Sequence, residues 1–200
     1  MKTKYIIALL FVLTLLRTNA QIIKDISDYD GGIHIQGAYY KDIQNKLDAY
    51  VGTYVYTNGT ASLKFVFKKV LSKNTTIYTE DILVGEYQYI VDGLEKANTL
   101  GRFNLNYSAD DVYKHSVSGN NIYDGQTYCN DCASNEEHFY TYLYDSNAKA
   151  SASFDIKKTT QNGNEAIRVI IGWSLREQKD TDPPLPNPSL PGGVYILEKQ

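Results

Sequence analysis

The sequence predicts an all-β protein, either a single antiparallel β-barrel or a β-sandwich of about 8–10 strands, with one short helix near residues 41–48. Two observations predict this class. Apolar side chains recur at every second residue over much of the chain, as in strands with one face on a core. Turn-forming pairs such as Asn58-Gly59 and Asp92-Gly93 separate these runs, and Asn-Gly is a strong hairpin signal.

Individual elements follow from these runs. Strands are predicted at residues 50–57, 61–68, 82–91, 102–107, 112–117, 138–144, 151–157, 165–175 and 194–199. In the predicted strand at residues 61–68, Leu63, Phe65 and Phe67 share one face. The strand at 165–175 alternates in the same way. Ile43 and Leu47 lie four residues apart and indicate one or two helical turns over residues 41–48.

Two copies of a Gly-x-Tyr-x-Tyr motif run into turns. They are Gly52-Thr53-Tyr54-Val55-Tyr56 and Gly85-Glu86-Tyr87-Gln88-Tyr89. We interpret each as a glycine where backbone or an aromatic ring packs closely, followed by two tyrosines on one strand face. Two copies do not indicate a repeat protein.

The first 20 residues have the layout of a secretory signal peptide. Two lysines precede an apolar run at residues 5–16, and cleavage is expected between Ala20 and Gln21. The run is shorter than the roughly 20 residues of a spanning helix. Gln21 also replaces the cysteine that a lipoprotein would carry. We therefore expect a secreted or periplasmic protein, with residues 21–200 forming a single β domain without a membrane span.

The charge of the chain argues against nucleic-acid partners. Its formal net charge is −3, and removal of the first 20 residues, which hold three basic and no acidic residues, changes it to −6. Nucleic-acid binding requires clustered lysine and arginine, whereas the basic residues here are scattered.

All five prolines lie in residues 182–191. Proline has no backbone donor for a sheet, so this segment cannot be a central strand. We expect a stiff, extended crossover on the domain surface before the closing strand at 194–199, in preference to a recognition motif.

Cys129 and Cys132 are the only cysteines. A short disulfide is the expected state in an oxidising compartment. A zinc site is an alternative, with Glu136, Glu137 and His138 as the nearby donors. A redox-active pair is a further alternative, although the strand-then-helix context of such motifs is not evident. We predict no metal and no cofactor.

No motif indicates catalysis. The three histidines, His34, His115 and His138, are expected at the surface or in loops. His115 and Ser116 are adjacent on a predicted strand, which would point them to opposite faces. Adjacent acidic residues also diverge on a strand and give no evidence for a glycosidase pair. The sequence therefore favours a non-catalytic function, with a hydrolase left as the less favoured alternative.

Tyrosine is unusually frequent, with 18 residues in 200. Strand propensity explains part of this excess. The functional interpretation is an aromatic ligand face, because tyrosine offers an apolar ring and a hydroxyl. The candidate ligand face comprises Tyr54, Tyr56, Tyr87, Tyr89 and Trp173. A further set, Tyr140, Tyr142 and Tyr144, also shares one strand face.

The signal peptide ending Asn19-Ala20 before Gln21 and three further segments carry a resemblance to a known family. The segments are Leu47-Asp48-Ala49-Tyr50-Val51-Gly52-Thr53-Tyr54, Ile82-Leu83-Val84-Gly85-Glu86-Tyr87-Gln88-Tyr89, and Leu190-Pro191-Gly192-Gly193-Val194-Tyr195-Ile196-Leu197-Glu198-Lys199. They resemble an uncharacterised family of small exported proteins from flavobacteria and their relatives, a domain of unknown function. The resemblance implies export and a β-rich domain, and no activity.

A fainter resemblance is to lipocalin-like barrels. These carry Gly-x-Trp on the first strand, and Gly52-Thr53-Tyr54 would correspond, with tyrosine replacing tryptophan. The resemblance implies that a basic residue on a late strand packs on this ring, and Arg168 is the candidate.

Three functions remain open. The first is a binding module for a small apolar or carbohydrate-like ligand. The second is an envelope structural or interaction module that binds a partner protein through outer tyrosines or a sheet edge. The third, less favoured, is a hydrolase.

Overall fold

The computed structural model describes residues 21–28, 34–107, 109–127, 129–174 and 186–200. Their strands are β1 (Ile23–Asp25), β2 (Tyr39–Lys41), β3 (Gly52–Asn58), β4 (Ala61–Asn74), β5 (Thr79–Val91), β6 (Leu94–Asn98), β7 (Val117–Gly119), β8 (Ile122–Asp124), β9 (Glu137–Asp145), β10 (Ala150–Gln161), β11 (Asn164–Trp173) and β12 (Gly193–Lys199). Three 3₁₀ helices lie at Lys46–Tyr50, Leu100–Arg102 and Ala109–Lys114. The all-β prediction is confirmed.

Eight of these strands form a closed antiparallel barrel. Around the ring the order is β5, β4, β3, β12, β11, β10, β9 and β7, and β7 pairs with β5 to close it. β6 pairs with β5 and β8 with β9, while β1 and β2 extend β5 through parallel pairing. The barrel alternative is thus confirmed.

β3 and β12, the first and last barrel strands in chain order, are neighbours in the ring and pair with each other. Only two residue pairs are in register there, Val55 with Glu198 and Tyr54 with Lys199. By contrast, twelve pairs join β4 to β5. The seam between β3 and β12 is therefore as short as the junction between β7 and β9, which also has two pairs in register.

The interior is packed with large apolar side chains. Leu63, Phe65 and Phe67 point inward from β4, as predicted, and are at most 1% exposed. The Phe65 and Phe67 rings stack with centroids 5.5 Å apart, and Phe154 on β10 lies 5.2 Å from Phe65 across the interior. Facing aromatic rings of this kind fill the barrel and stabilise it by burying large apolar areas.

Gly85 provides the space for one of these rings. A Cβ atom at Gly85 would lie 2.4 Å from Phe67 Cδ1, and carbon atoms in contact are normally about 3.5–4.0 Å apart. At Gly52, whose φ is +145°, an added Cβ would meet the Tyr54 ring at 3.5 Å. The interpretation of a closely packed aromatic ring is confirmed at Gly85, whereas at Gly52 the nearest atom is Lys199 Cε at 3.0 Å and the Tyr54 ring is at ordinary contact distance.

Two predicted strands are wrong. Residues 102–107 and 112–117 instead belong to a segment with the 3₁₀ helices Leu100–Arg102 and Ala109–Lys114. The Arg102 side chain joins these turns by donating from Nη1 to the Lys114 carbonyl over 3.1 Å. A short alternating pattern could not distinguish such a folded connection from a strand.

The predicted helix near residues 41–48 begins later, at Lys46. Asp42 determines this start, because its carboxylate accepts hydrogen bonds from the Lys46 and Leu47 backbone N–H groups at 2.8 and 3.0 Å. Leu47 is fully buried, but Ile43 precedes the helix and is 54% exposed. The pairing of Ile43 with Leu47 on one helical face is therefore wrong.

The described part of the proline-rich segment contacts the barrel end. Leu190 is fully buried in the core, and its carbonyl accepts a hydrogen bond from Trp173 Nε1 at 2.8 Å. Tyr195 Oη donates to the Pro191 carbonyl over the same distance. The segment therefore contributes to packing before β12 begins.

Several predictions lie outside the described residues. They concern the signal segment at residues 1–20, which includes Ala20. They also concern residue 175, which ends the predicted strand at 165–175, and prolines 183 and 184. Among the helices that the structure describes, none combines the length and hydrophobicity needed to cross a membrane.

Candidate functional site

The predicted ligand face points into the barrel. Tyr54, Tyr87 and Tyr89 belong to the core and are 0%, 1% and 9% exposed. Tyr56 and Trp173 pack against that core. Tyr87 lies 5.6 Å from the Phe65 ring, measured between centroids. The structure therefore brings these aromatic residues together as packed interior.

A different set of tyrosines lies on the outer face of β9. Phe139, Thr141 and Leu143 point inward and are buried, so the alternating positions between and beyond them point outward. Tyr142 is 60% exposed and Tyr144 is 39% exposed. The sequence correctly placed these tyrosines on one strand face, although it gave no reason to prefer them to the interior set.

These two rings line an outer groove of about 530 Å³. Its other lining residues are His115, Ser116, Ser118 and Ser151. In register, Ser118 of β7 lies beside Tyr142, and Ser151 of β10 lies beside Tyr144. Because serine is small, each tyrosine ring projects beyond the side chain on the neighbouring strand. The serine hydroxyl groups therefore lie beside the tyrosine rings.

A buried polar cluster supports one wall of this groove. Glu86 on β5 is fully buried, and its two carboxylate oxygens bind His115 Nδ1 at 2.9 Å and accept from Ser116 Oγ at 2.7 Å. Arg102 donates to Ser116 Oγ over 3.1 Å and lies 3.7 Å from the Glu86 carboxylate. This network fixes the orientation of the wall and balances the buried carboxylate with a guanidinium.

The expectations for His115 are corrected by this cluster. His115 is 4% exposed instead of lying at the surface. It follows the 3₁₀ helix Ala109–Lys114 and is not within a strand. His115 and Ser116 therefore bind the same carboxylate, which strand geometry would have prevented. The third histidine, His34, packs on the rings of Tyr40 and Tyr78, with centroids 5.0 and 4.0 Å away.

A second concavity of about 390 Å³ adjoins the groove across Tyr144. Its polar lining includes Asn98, Thr99, Arg102 and Asn147. Thr99 Oγ1 is 3.0 Å from Ser116 Oγ, which links the two concavities through one hydroxyl pair. Tyr144 thus lies between the tyrosine groove and this second, polar concavity.

A second polar cluster lies on the outer face of the same wall, under the loop that carries both cysteines. His138 of β9, Asp155 of β10 and Arg168 of β11 are 0%, 3% and 9% exposed. They are outward-facing positions, because their neighbours Phe139, Phe154 and Val169 are in the core. His138 Nδ1 is hydrogen bonded to Asp155 Oδ1, so the loop covers a buried polar pair.

The expected contact of Arg168 with the Tyr54 ring is wrong. Arg168 Nη1 donates to Asp131 Oδ2 over 2.5 Å, and its Nη2 lies 3.3 Å from Cys129 Sγ. The cation over Tyr54 is Lys199 on the last strand, with Nζ 5.9 Å from the ring centroid. Arg168 points outward from β11, so it cannot reach an inward-facing ring.

The full chain, residues 1–200, matches the model of a family of unknown function, DUF6705. The chain belongs to this family. This confirms the expected membership of an uncharacterised family. The chain matches no curated protein and no solved structure. For this DUF6705 protein, function must therefore be inferred from the geometry of its sites.

In the DUF6705 chain, Cys129 and Cys132 lie at disulfide distance, with Cα atoms 5.4 Å apart. Both are buried. The acidic donors considered for a metal point elsewhere, since Glu136 pairs with Lys157 and Glu137 with Lys46. His138 remains close to the cysteines, and its surface placement is corrected to full burial.

Burial raises the pKa of the Asp155 carboxyl above its ordinary value, despite the opposing effects of His138 and Arg168. Three buried atoms of this cluster have no hydrogen-bond partner among the described residues: His138 Nε2, Asp155 Oδ2 and Arg168 Nε. Unpaired buried polar atoms are costly and call for an explanation. Sequence reasoning identified His138 as a nearby donor but could not find Asp155, which is 23 residues beyond the second cysteine.

Proposed function

We propose that this protein is a carbohydrate-binding module whose site is the outer groove of Tyr142 and Tyr144. One observation carries the proposal: two exposed tyrosine rings lie beside serine hydroxyls on the wall of a barrel whose interior is packed. The proposal keeps the small-ligand class expected from the sequence. It moves the binding face from the interior to the outer surface.

The chemistry of the groove suits a sugar ring. A pyranose has apolar C–H faces and a rim of hydroxyl groups, so it can stack on tyrosine while its hydroxyls exchange hydrogen bonds with Ser118 and Ser151. The groove volume of about 530 Å³ falls within the roughly 300–1,000 Å³ typical of small-molecule sites. A purely apolar ligand would leave the serine hydroxyls without partners.

The groove is also held in place before a ligand arrives. Tyr142 and Tyr144 are on β9, which pairs with β7 and β10 on its two sides. The Glu86 network fixes the adjacent wall at His115 and Ser116. A preformed site lowers the entropic cost of binding.

The nearby carboxylates favour binding over hydrolysis. Glu86 is engaged by His115 and Ser116. Asp145 accepts hydrogen bonds from the backbone N–H groups of Ala148 and Ser189 at 3.0 and 2.9 Å. Carboxylates held in structural roles are poorly available for acid–base work on a sugar.

The test is a screen of immobilised mono- and oligosaccharides with the purified chain, followed by calorimetry on the sugars that bind. Tyr142→Ala and Tyr144→Ala are each expected to weaken binding about fivefold, because a ring stacking interaction contributes about 1 kcal/mol. Tyr142→Phe keeps the ring and should retain most affinity. Leu94→Ala is the control, since Leu94 is 61% exposed on another strand.

The proposal fails if the folded wild type binds no sugar on the array. It also fails if both alanine variants bind with wild-type affinity. If wild type and Tyr142→Ala bind a purely apolar probe with equal affinity, the ligand site lies elsewhere.

We also infer that the protein acts outside the cytoplasm after removal of residues 1–20. A cysteine pair at disulfide distance supports this, because disulfides persist in oxidising compartments. Intact-mass analysis of the exported fraction should show a chain beginning at Gln21. A chain that retains residues 1–20 and is found only in the cytoplasm would contradict this inference.

A further inference from the structure

We propose that, when its cysteine pair is reduced, the protein binds a zinc ion through Cys129, Cys132 and His138 on the outer wall of the barrel. Asp131 supplies the fourth ligand, and Asp155 and Arg168 are positioning residues. The site is separate from the tyrosine groove and does not depend on the proposed sugar binding.

The donor atoms converge on Cys129. Its Sγ, a ring nitrogen of His138 and a carboxylate oxygen of Asp155 lie within 4.8 Å of one another. Cys129 Sγ, Cys132 Sγ and a carboxylate oxygen of Asp131 likewise lie within 4.8 Å of one another. Two thiolates, an imidazole and a carboxylate are donors that Zn²⁺ accepts in tetrahedral sites.

The unpartnered His138 nitrogen is the independent observation that points to a ligand. When Asp155 is ionised and the imidazole is neutral, His138 Nδ1 donates to the carboxylate and Nε2 has a lone pair to offer a metal. Nε2 is fully buried and has no partner in the described part of the chain. A carboxylate that binds one nitrogen of a metal-ligating histidine is the usual way to orient its ring.

Cationic side chains offset part of the negative charge of the proposed site. Two thiolates and the carboxylates of Asp131 and Asp155 would carry four negative charges. Zn²⁺ supplies two positive charges and Arg168 a third, while Lys157 Nζ, 3.9 Å from Asp131, is shared with Glu136 at 3.2 Å. Arg168 Nη2, 3.3 Å from Cys129 Sγ, can then donate to a sulfur ligand.

Binding requires a defined redox step. A dithiol reductant gives two electrons and two protons to the Cys129–Cys132 disulfide, which becomes two thiols, while the reductant becomes a cyclic disulfide. Zn²⁺ then displaces both thiol protons to solvent as the two Zn–S bonds form. The oxidised chain has no thiolate to offer, so occupancy follows the redox state.

The experiment is a cobalt titration of the purified full chain. The protein is reduced with dithiothreitol under argon, freed of reductant by gel filtration, and titrated with Co²⁺. Tetrahedral thiolate coordination gives charge-transfer absorption in the near ultraviolet and d–d bands in the visible. We expect one Co²⁺ per chain and its displacement by Zn²⁺, whereas the oxidised chain should give no bands.

Variants identify the ligands. His138→Gln is expected to weaken Co²⁺ binding at least tenfold and to alter the visible bands, whereas the control His34→Gln should match wild type. Asp155→Asn should keep the bands but weaken binding about 10–100-fold, as expected of a residue that orients a ligand. Circular dichroism of each variant establishes that the barrel is intact.

Two results would overturn the site. One is a reduced wild-type chain that gives no cobalt bands, whether it stays folded or loses its β-sheet signal without recovering it on Zn²⁺ addition. The other is identical bands and affinity in His138→Gln and His34→Gln. Both results are measured by metal binding alone, so loss of the zinc proposal would leave the sugar-binding proposal unaffected. Failure of sugar binding would likewise leave the zinc proposal unaffected.

Discussion

Replacing Gly85 with alanine tests whether the barrel interior is filled, which is the premise for placing the ligand site outside. The new Cβ would lie 2.4 and 2.5 Å from two Phe67 ring carbons. To restore ordinary contact the ring must move by about 1 Å. It is confined by the Phe65 ring stacked at 5.5 Å and by Tyr54 at 6.2 Å.

Overpacking of this kind costs about 1–3 kcal/mol, and loss of glycine flexibility in the unfolded chain returns only about 0.5 kcal/mol. We therefore expect Gly85→Ala to lower the free energy of unfolding by about 2 kcal/mol and Tm by about 4–8 °C. Urea and thermal unfolding, followed by circular dichroism and Trp173 fluorescence, measure both quantities.

Gly101→Ala is the matched control, because a Cβ there meets no atom within 4 Å, and its stability should change by less than about 0.5 kcal/mol. A second check is the double variant Gly85→Ala/Phe67→Leu, which should cost less than the sum of the single changes, since the smaller side chain relieves the clash. If Gly85→Ala is as stable as the Gly101 control, there is free space beside Phe67, and an interior ligand site regains support.

Two further predictions concern buried acidic residues. Burial raises the pKa of Glu80 to about 7 from 4.5, so ionisation of Glu80 destabilises the fold as pH rises through 7. The Glu80→Gln variant should therefore be more stable than wild type by about 2 kcal/mol at pH 8. At pH 4 the two proteins should differ little in stability. Urea titrations at both pH values check this, with exposed Glu95→Gln as the control. Asp81 accepts from the backbone N–H groups of Asp42 and Ser72 at 3.0 and 2.9 Å, so Asp81→Ala should cost about 2–4 kcal/mol; an unchanged urea midpoint would contradict this.

Local patterns explain which parts of the fold could be predicted. The hairpin turns at Gly59, Gly93 and Gly163 have φ values of +56°, +73° and +83°, which glycine adopts readily. The inward face of β4 follows from the alternation of apolar and polar residues. Both signals lie within a few residues of chain, so no tertiary information is needed to detect them.

The parts that could not be predicted depend on distant segments. Glu86, His138 and Asp155 face outward, and a strand pattern alone places such residues in water. They are buried because the described residues 99–107 and 109–116 and the cysteine loop fold over the barrel wall. Which loop covers which outward face depends on the three-dimensional path of the chain, so neither polar cluster could be assembled from sequence spacing.

The three-dimensional path of the chain also decides which set of tyrosines is exposed. Alternation grouped Tyr54 with Tyr56 and Tyr142 with Tyr144 equally well, because it reports a shared face without saying which way that face points. Only barrel closure sets the first pair inside and the second outside. The exposed tyrosines, and with them the candidate site, therefore lie on the outer face of β9.

The narrow seam between β3 and β12 has a consequence for how the protein reaches its folded state. Val55 and Glu198, which pair there, come from opposite ends of the described barrel sequence, so closure is among its most non-local events. Such contacts form slowly because a long loop must be ordered first. Until β12 docks, β3 and β11 each present an open edge to which other chains can add. During synthesis and folding, the time spent with these edges open sets the risk of aggregation.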